Sequence, residues 1–134
     1  MVGSCQVKGR FRACGQPGIA VCQYCGRSFC SAHGARFDDA QEICVRATCQ
    51  AKKADAERFV IYKREVAERN ERRLCGAPDC SSAPGGQCSK CQGVFCLGLL
   101  SERAIDQWQG TSMARVRGVL CPHCVRRRGL WERT

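Results

Sequence analysis

The sequence predicts a small, metal-stabilised α+β protein of two tandem modules joined by a long α-helix. Three observations indicate this: 14 of the 134 residues are cysteine, the cysteine spacing repeats along the chain, and a stretch without cysteine separates two groups. Aromatic residues make up only 7% of the chain, so each half has little apolar surface to bury. Modules of about 50 residues are marginal when burial is their only support. We therefore expect metal ions to hold each module together.

The expected metal is zinc, because the sequence favours a reducing compartment. Residues 1–11 lack the apolar run of a signal peptide, and the longest apolar stretch, residues 93–100, is too short to cross a bilayer. An intracellular, cytoplasmic protein without membrane contact is the expectation. Disulfides do not persist there, so repeated Cys-x2-Cys pairs indicate zinc ligation. A disulfide framework, redox chemistry and iron–sulfur clusters are the alternatives.

The first module, residues 1–50, contains eight candidate zinc donors, enough for two tetrahedral sites. In sequence order the donors are Cys5, Cys14, Cys22, Cys25, Cys30, His33, Cys44 and Cys49. In an interleaved arrangement the first and third pairs share one ion, and the second and fourth pairs share the other. In a sequential arrangement the first four donors share one ion and the last four the other. We expect interleaving, because it ties distant parts of a short chain together twice, with Phe29 as an apolar plug between the sites.

The second module, residues 74–125, is an internal repeat of the first. A shift of 66 residues maps four cysteines of the first group onto four of the second, and Phe29 onto Phe95. The donors of the second module are Cys75, Cys80, Cys88, Cys91, Cys96, Cys121 and Cys124. Two modules with two sites each predict four zinc ions in the whole chain.

One donor is missing from the second module, because Leu99 stands where the repeat would place the counterpart of His33. Glu102 follows closely and would complete a site with a carboxylate. His123 is the other candidate, although it lies inside a Cys-x2-Cys pair. Otherwise the site has three ligands or holds no metal, and the chain would then bind three zinc ions.

The connecting segment, residues 51–73, is predicted to form one helix. It has no Gly or Pro and is dominated by Ala, Lys, Glu and Arg, which favour helices. Phe59, Tyr62 and Val66 form an apolar stripe at helical spacing. The helix is either a spacer or a brace packed on the modules, and it is either simply solvated or a partner-binding element.

Two segments resemble known zinc-binding families. Residues 22–33 match the Cys-x2-Cys-Gly-x2-Phe-Cys-x2-Cys/His pattern and resemble treble-clef fingers of the FYVE and related kinds. The basic patch that grips a phosphoinositide in FYVE domains is absent from residues 18–21, so the resemblance does not imply lipid binding. Residues 75–80 and 88–96 are similar to the opening of in-between-RING domains. Together these resemblances imply two tandem treble-clef/RING-like modules.

The end of the second module resembles the RING domains of ubiquitin ligases. Phe-Cys at residues 95–96 leads through Trp108 to Cys-Pro-His-Cys at residues 121–124, and Arg126 follows. In that family a tryptophan beside the zinc loops helps to form the groove for the ubiquitin-conjugating enzyme, and a basic residue after the last cysteine contacts ubiquitin. The resemblance therefore implies that Trp108 and Arg126 bind a partner.

Both residues also have simpler interpretations. Residues 101–109 are expected to form a short helix with Ser101 as its N-cap, on which Trp108 follows Ile105. Trp108 is then either local core or an exposed partner contact. Arg126 begins a basic tail, residues 126–134, which is either solvated or used in binding.

The sequence predicts an adaptor without catalytic residues of its own. No Ser/His/Asp set, carboxylate pair or phosphate-binding glycine loop is present, and every cysteine fits a ligand scheme. The leading hypothesis is a RING-like module for ubiquitin or ubiquitin-like conjugation that acts by positioning a conjugating enzyme. Nucleic-acid binding is an alternative suggested by the formal net charge of +10. Ligation of 14 thiolates to four zinc ions would lower that charge to about +4. A structural scaffold subunit of a larger complex is the third hypothesis.

Overall fold

The computed structural model describes residues 3–9, 12–37 and 39–132 of the chain. It is a small α+β structure with a compact unit over Met1–Glu57 and another over Arg58–Thr134. Its strands and helices are β1 (Ala20–Val21), β2 (Ser28–Phe29), β3 (Gly34–Arg36), β4 (Glu42–Cys44), α1 (Ala47–Glu71), β5 (Gly86–Gln87), β6 (Val94–Phe95), β7 (Ser101–Gln109), β8 (Ser112–Leu120) and α2 (Pro122–Trp131). Within the described residues, neither helix combines the length and apolar character needed to span a bilayer.

The first unit is built from two short antiparallel hairpins, β1–β2 and β3–β4, around a small core. Phe29 and Ile43 are fully buried there among the cysteine side chains. Gly34 lies directly against the Phe29 ring. A Cβ atom at residue 34 would stand only 2.3 Å from a ring carbon, so a larger residue would clash there. The close approach explains why β3 begins with a glycine.

The second unit repeats this order with the hairpins β5–β6 and β7–β8, followed by α2. Its core contains Val66 of α1, Phe95, Ile105 and Leu120, all of them nearly inaccessible to solvent. Here too cysteines fill much of the buried volume. Apolar side chains alone do not form either core.

The 66-residue repeat is visible in the backbone as well as in the sequence. The same shift maps β1 onto β5 and β2 onto β6. The turn after the first hairpin strand has a left-handed residue in both units, Gly26 at φ 73° and Gln92 at φ 64°. Glycine adopts this conformation without steric cost, whereas Gln92 adopts it at some expense. The two units therefore share one local architecture.

Helix α1 begins at Ala47 and ends at Glu71, so it starts before the predicted segment 51–73 and ends slightly earlier. Val66 is buried, and Phe59 and Tyr62 are partly buried against the core of the second unit. The division between the two units falls inside this helix, after residue 57.

The expected helix over residues 101–109 is wrong, because this segment is strand β7. It pairs in register with β8 through a tight turn in which Gly110 has φ 65°. Ile105 and Trp108 would share a face on a helix, but an odd spacing puts them on opposite faces of a strand. Ile105 is accordingly 1% exposed and Trp108 is 64% exposed.

The basic segment expected as a tail, residues 126–134, is helical as far as Trp131. Pro122 occupies the first turn of α2, where its fixed backbone angle favours helix initiation. Arg128 pairs with Glu132 at 2.9 Å at the other end of the helix. Residues 133–134 lie outside the described residues.

Candidate metal centres

The described residues contain four clusters of potential metal ligands. In each cluster the ligand atoms all lie within 4.8 Å of one another. We name them cluster 1 (Cys5, Cys14, Cys30, His33), cluster 2 (Cys22, Cys25, Cys44, Cys49), cluster 3 (Cys88, Cys91, Cys121, Cys124) and cluster 4 (Cys75, Cys80, Cys96). Together they use all 14 cysteines of the chain.

The distances between sulfur atoms fit zinc. Two thiolates at the usual Zn–S distance in a tetrahedron are separated by about 3.8 Å. Sγ–Sγ distances of 3.8 to 4.0 Å join one cysteine pair in each cluster. A disulfide bond would need about 2.05 Å, and all the cysteines are free. The four clusters are thus positioned for metal ligation, and thiolate-rich tetrahedral sets favour zinc.

His33 contributes its Nδ1 atom to cluster 1. This atom lies 3.5 Å from the Sγ of Cys5 and 3.3 Å from the Sγ of Cys30. For a nitrogen and a sulfur bound to one zinc ion, tetrahedral geometry gives about 3.6 Å. The imidazole therefore completes a set of three thiolates and one nitrogen.

The first unit has the interleaved arrangement of ligand pairs. Its first and third donor pairs form cluster 1, and its second and fourth pairs form cluster 2. Four protein ligands close each of these sites and also cluster 3, as in structural zinc sites. Such sites link segments that are far apart in sequence.

The last ligand of each unit lies in the first turn of a helix. Cys49 is the third residue of α1, and Cys124 is the third residue of α2. The partial positive charge at a helix N-terminus stabilises a thiolate there. In both units the preceding hairpin leads the chain into that helix.

Arg46 supports cluster 2 from just before α1. Its guanidinium donates one hydrogen bond to the Sγ of Cys25 at 3.0 Å and another to the carbonyl of Gln6 at 2.9 Å. The arginine thus stabilises the negative charge on an exposed ligand and ties the N-terminal segment to the site.

Hydrogen bonds from the backbone prepare two ligands of the first unit for metal binding. Burial opposes ionisation of Cys5, but hydrogen bonds at Val7 and Cys30 lower the pKa of its thiol to about 7. Burial likewise opposes ionisation of Cys22, and backbone hydrogen bonds at Cys44 and Cys25 lower its pKa to about 6. Because zinc binds thiolates, a lowered pKa favours ligation near neutral pH.

Tyr62 and His123 form a stack beside cluster 3. Their ring centroids are 3.8 Å apart, and the Tyr62 hydroxyl lies 3.2 Å from the Sγ of Cys121. Hydrogen bonds from Cys124 and Tyr62 lower the pKa of Cys121 to about 6. His123 packs on the tyrosine and belongs to none of the four clusters.

Two side chains at the end of α1 hold the backbone around cluster 4. Arg69 donates to the carbonyl of Cys75 at 2.9 Å and to that of Cys80. The Asn70 amide donates to the carbonyls of Leu74 and Val94 and accepts a bond from the Val94 amide, at 2.9 to 3.0 Å. These bonds anchor both sides of the loop that carries Cys75.

Cluster 4 has three thiolates and, in the part of the chain that the structure describes, no fourth Cys, His, Asp or Glu. Glu102, predicted as an additional ligand, lies on β7 and pairs with Arg117 at 2.9 Å. His123, the other candidate, is stacked on Tyr62. The structure thus brings neither candidate to cluster 4.

The predicted partner-binding residues lie on different elements. Trp108 lies near the end of β7, directly opposite Met113 of β8. Arg126 lies on α2 and lines a cavity of about 180 Å³ together with Tyr62 and His123.

Sequence reasoning missed the residues that support the ligands. Arg46, Arg69 and Asn70 belong to no recognisable motif, and Tyr62 enters the sequence prediction only as part of an apolar stripe. Their roles depend on contacts across 4 to 59 positions of sequence. Only the position of Arg46, shortly after Cys44 and next to a helix start, offered a local signal.

No protein-family model, curated protein or solved structure matches this chain.

Proposed function

We propose that this chain is a zinc-dependent protein-interaction adaptor whose partner-binding surface is the end of the β7–β8 hairpin. The observation that carries the proposal is the cross-strand pair of Trp108 and Met113, which are 64% and 51% exposed. Tryptophan is among the residues that contribute most to protein interfaces. An adaptor with structural zinc ions needs such an exposed surface.

A cleft next to this pair supports the same surface. It has a volume of about 580 Å³ and is lined by Met113 and Asp106 of the hairpin and by Arg127 and Trp131 of α2. Apolar and charged groups therefore line the same cleft. This combination suits a protein segment with both apolar and polar side chains.

The finer proposal is a RING-like module that positions a ubiquitin-conjugating enzyme or its counterpart in a ubiquitin-like system. Each unit has a Cys-x2-Cys turn, a hairpin and a helix with a ligand in its first turn, an order typical of treble-clef modules. The RING-like spacing from residues 95–96 to 121–124 gives the reason for choosing this partner. Since every cysteine belongs to a zinc cluster, any activity would consist of positioning the partner.

Nucleic-acid binding is the less favoured alternative, because part of the basic segment is engaged within the protein. The Arg127 guanidinium lies 3.5 Å from the centre of the Phe59 ring. Arg128 pairs with Glu132 and also donates to the carbonyl of Ala104 at 3.0 Å. Phosphate contacts by these side chains would compete with those interactions.

The test measures the rate at which ubiquitin is released from conjugating enzymes that carry it as a thioester, in the presence of the zinc-loaded protein. We expect faster discharge with at least one enzyme, and a loss of about fivefold or more on Trp108→Ala or Met113→Ala. Val60→Ala is the matched control, because Val60 is also an exposed apolar residue, 54% accessible on α1.

Two outcomes would contradict the finer proposal. One is no acceleration with any conjugating enzyme, and the other is equal acceleration by the wild type and Trp108→Ala. Salt-dependent retention on DNA or RNA that weakens on Arg126→Ala would instead support nucleic-acid binding. Co-purification with one fixed partner, without discharge, would support the scaffold hypothesis.

A further inference from the structure

Cluster 4 is an ordered site although it has only three ligands. The backbone amide of Cys96 donates to the Sγ of Cys75 at 3.2 Å, and the Sγ atoms of Cys80 and Cys96 are 3.9 Å apart. Arg69 holds the carbonyls of Cys75 and Cys80. Its three sulfur atoms all lie within 4.8 Å of one another, as the ligand atoms of the other three clusters do, so the geometry of a metal site is retained.

The position of the missing donor is identified by comparison with cluster 1. The amide of His33 donates to the carbonyl of Cys30 at 3.0 Å, and the amide of Leu99 donates to the carbonyl of Cys96 at 3.1 Å. The two turns therefore have the same backbone hydrogen bond. Leu99 occupies the place of a histidine but offers no donor atom.

We propose that cluster 4 binds a fourth zinc ion with an open coordination position, and that an imidazole nitrogen from outside the chain occupies this position. Zinc sites with three protein ligands and one exchangeable ligand are well suited to take a donor from another molecule. Cys80 and Cys96 are both partly accessible, so an external donor can reach the ion.

The internal repeat favours imidazole over a fourth thiolate. Three thiolates and one Zn²⁺ carry a net charge of about −1, and a neutral imidazole leaves this charge unchanged. Cluster 1 has this ligand set, because His33 completes its three cysteines. Because Leu99 stands at the position of His33 in the repeat, the missing ligand of cluster 4 corresponds to an imidazole.

The source of the imidazole is a histidine side chain of a partner protein. Cys96 is followed by Leu97, which is 71% exposed and lies over Gly85, where a Cβ atom would approach its Cγ to 2.6 Å. An exposed leucine next to a metal ligand offers an apolar contact to residues that flank the donor. A free imidazole compound could coordinate the zinc ion but would gain less from Leu97.

The first measurement is the number of metal ions per chain and their response to imidazole. Native mass spectrometry of the full chain should show four zinc ions. After replacement of zinc by Co²⁺, imidazole should change the visible absorption of one cobalt ion in four and add one imidazole per chain. Three metal ions per chain, or a cobalt spectrum that does not respond to imidazole, would overturn the proposal.

Two substitutions at residue 99 locate the response. Leu99→His should complete cluster 4 within the chain, retain four metal ions and abolish the response to imidazole. Leu99→Ile is the matched control, since it keeps the volume and adds no donor, and it should respond as the wild type does. A response that persists in Leu99→His would place the open position elsewhere and refute the assignment. The wild-type measurements decide the proposal even where a variant fails to fold.

A third measurement identifies the source of the donor. Binding of free imidazole to the cobalt form is compared with binding of a short peptide that carries one histidine between two leucines. We expect the peptide to bind at least about tenfold more tightly, and Leu97→Ser to remove most of this advantage. Equal affinities would refute the partner histidine as the source.

Discussion

The hydroxyl of Tyr62 in α1 donates a hydrogen bond to the Sγ of Cys121, at 3.2 Å and across 59 positions of sequence. Burial and the neighbouring Cys121 raise the pKa of Tyr62, so the proton stays on the tyrosine. The acceptor is thus a zinc ligand whose negative charge the hydroxyl stabilises. This contact links α1 to cluster 3 by a hydrogen bond as well as by the packing of side chains.

Tyr62→Phe should speed zinc release from cluster 3 about tenfold, because a hydrogen bond to a charged group contributes about 1.5 kcal/mol or more. Tyr62→Leu also loses the stack on His123 and should have a larger effect. Zinc transfer to a chromogenic chelator, followed by stopped flow, measures both variants. If Tyr62→Phe released zinc at the wild-type rate while Tyr62→Leu did not, the tyrosine would act through packing alone.

Arg46→Met should speed zinc release from cluster 2 by about fivefold. The substitution removes a charge-assisted hydrogen bond to the thiolate of Cys25, and the exposure of this ligand limits the effect. Arg36→Met is the matched control, because it removes the same charge from an arginine that pairs with Glu42 at the surface, at 3.2 Å. The same chelator assay measures both variants. If both released zinc faster than the wild type and at equal rates, the lost charge and not the lost hydrogen bond would explain the effect.

Asn70→Asp should lower the free energy of unfolding of the zinc-loaded protein by about 2 kcal/mol. The two amide donations to the carbonyls of Leu74 and Val94 are lost, and a carboxylate would face those carbonyls instead. Thermal unfolding followed by circular dichroism measures the change. Glu68→Gln, at an exposed position of α1, makes the reverse chemical change and should leave the unfolding temperature unaltered. A similar unfolding temperature for Asn70→Asp and the wild type would contradict this role.

The metal sites were accessible to sequence reasoning because zinc ligation depends on residue type and spacing. Counting donors predicts two tetrahedral sites in the first unit, and the need to connect distant segments favours the pairing of Cys22 with Cys44 that the structure shows. Strand β7 was not accessible in this way. Its residues Ile105 and Trp108 fit one face of a helix, and only pairing with β8 places them on opposite faces.

The supporting contacts were inaccessible for a different reason. Arg69 and Asn70 look like ordinary residues of a charged helix, and nothing in their neighbourhood indicates that they bind carbonyls near cluster 4. Leu99 shows the opposite case, since the repeat alone identified the missing donor. The sequence repeat reveals which ligands are present and which is absent, whereas long-range hydrogen bonds can be identified only in the folded structure.

Acidification should release zinc and unfold the protein in one process, because few apolar side chains remain to hold either core without metal. The pKa values of Cys22 and Cys5 are lowered to about 6 and about 7. The stability that these thiolates contribute is complete above the ordinary thiol pKa of 9.0 and is lost as the pH falls through the lowered values. Bound zinc lowers the pKa values further, so we expect release to begin below about pH 6.

Zinc release and circular dichroism, recorded together in a reducing buffer from about pH 8 to about pH 4, measure this transition. The two signals should change together, and exhaustive chelation near neutral pH should produce the same unfolded spectrum. The chelator arm separates loss of metal from protonation of other groups, because it leaves the carboxylates ionised. A protein that kept its secondary structure after chelation, or released its zinc well above pH 7, would contradict the conclusion that thiolate-bound zinc replaces a hydrophobic core.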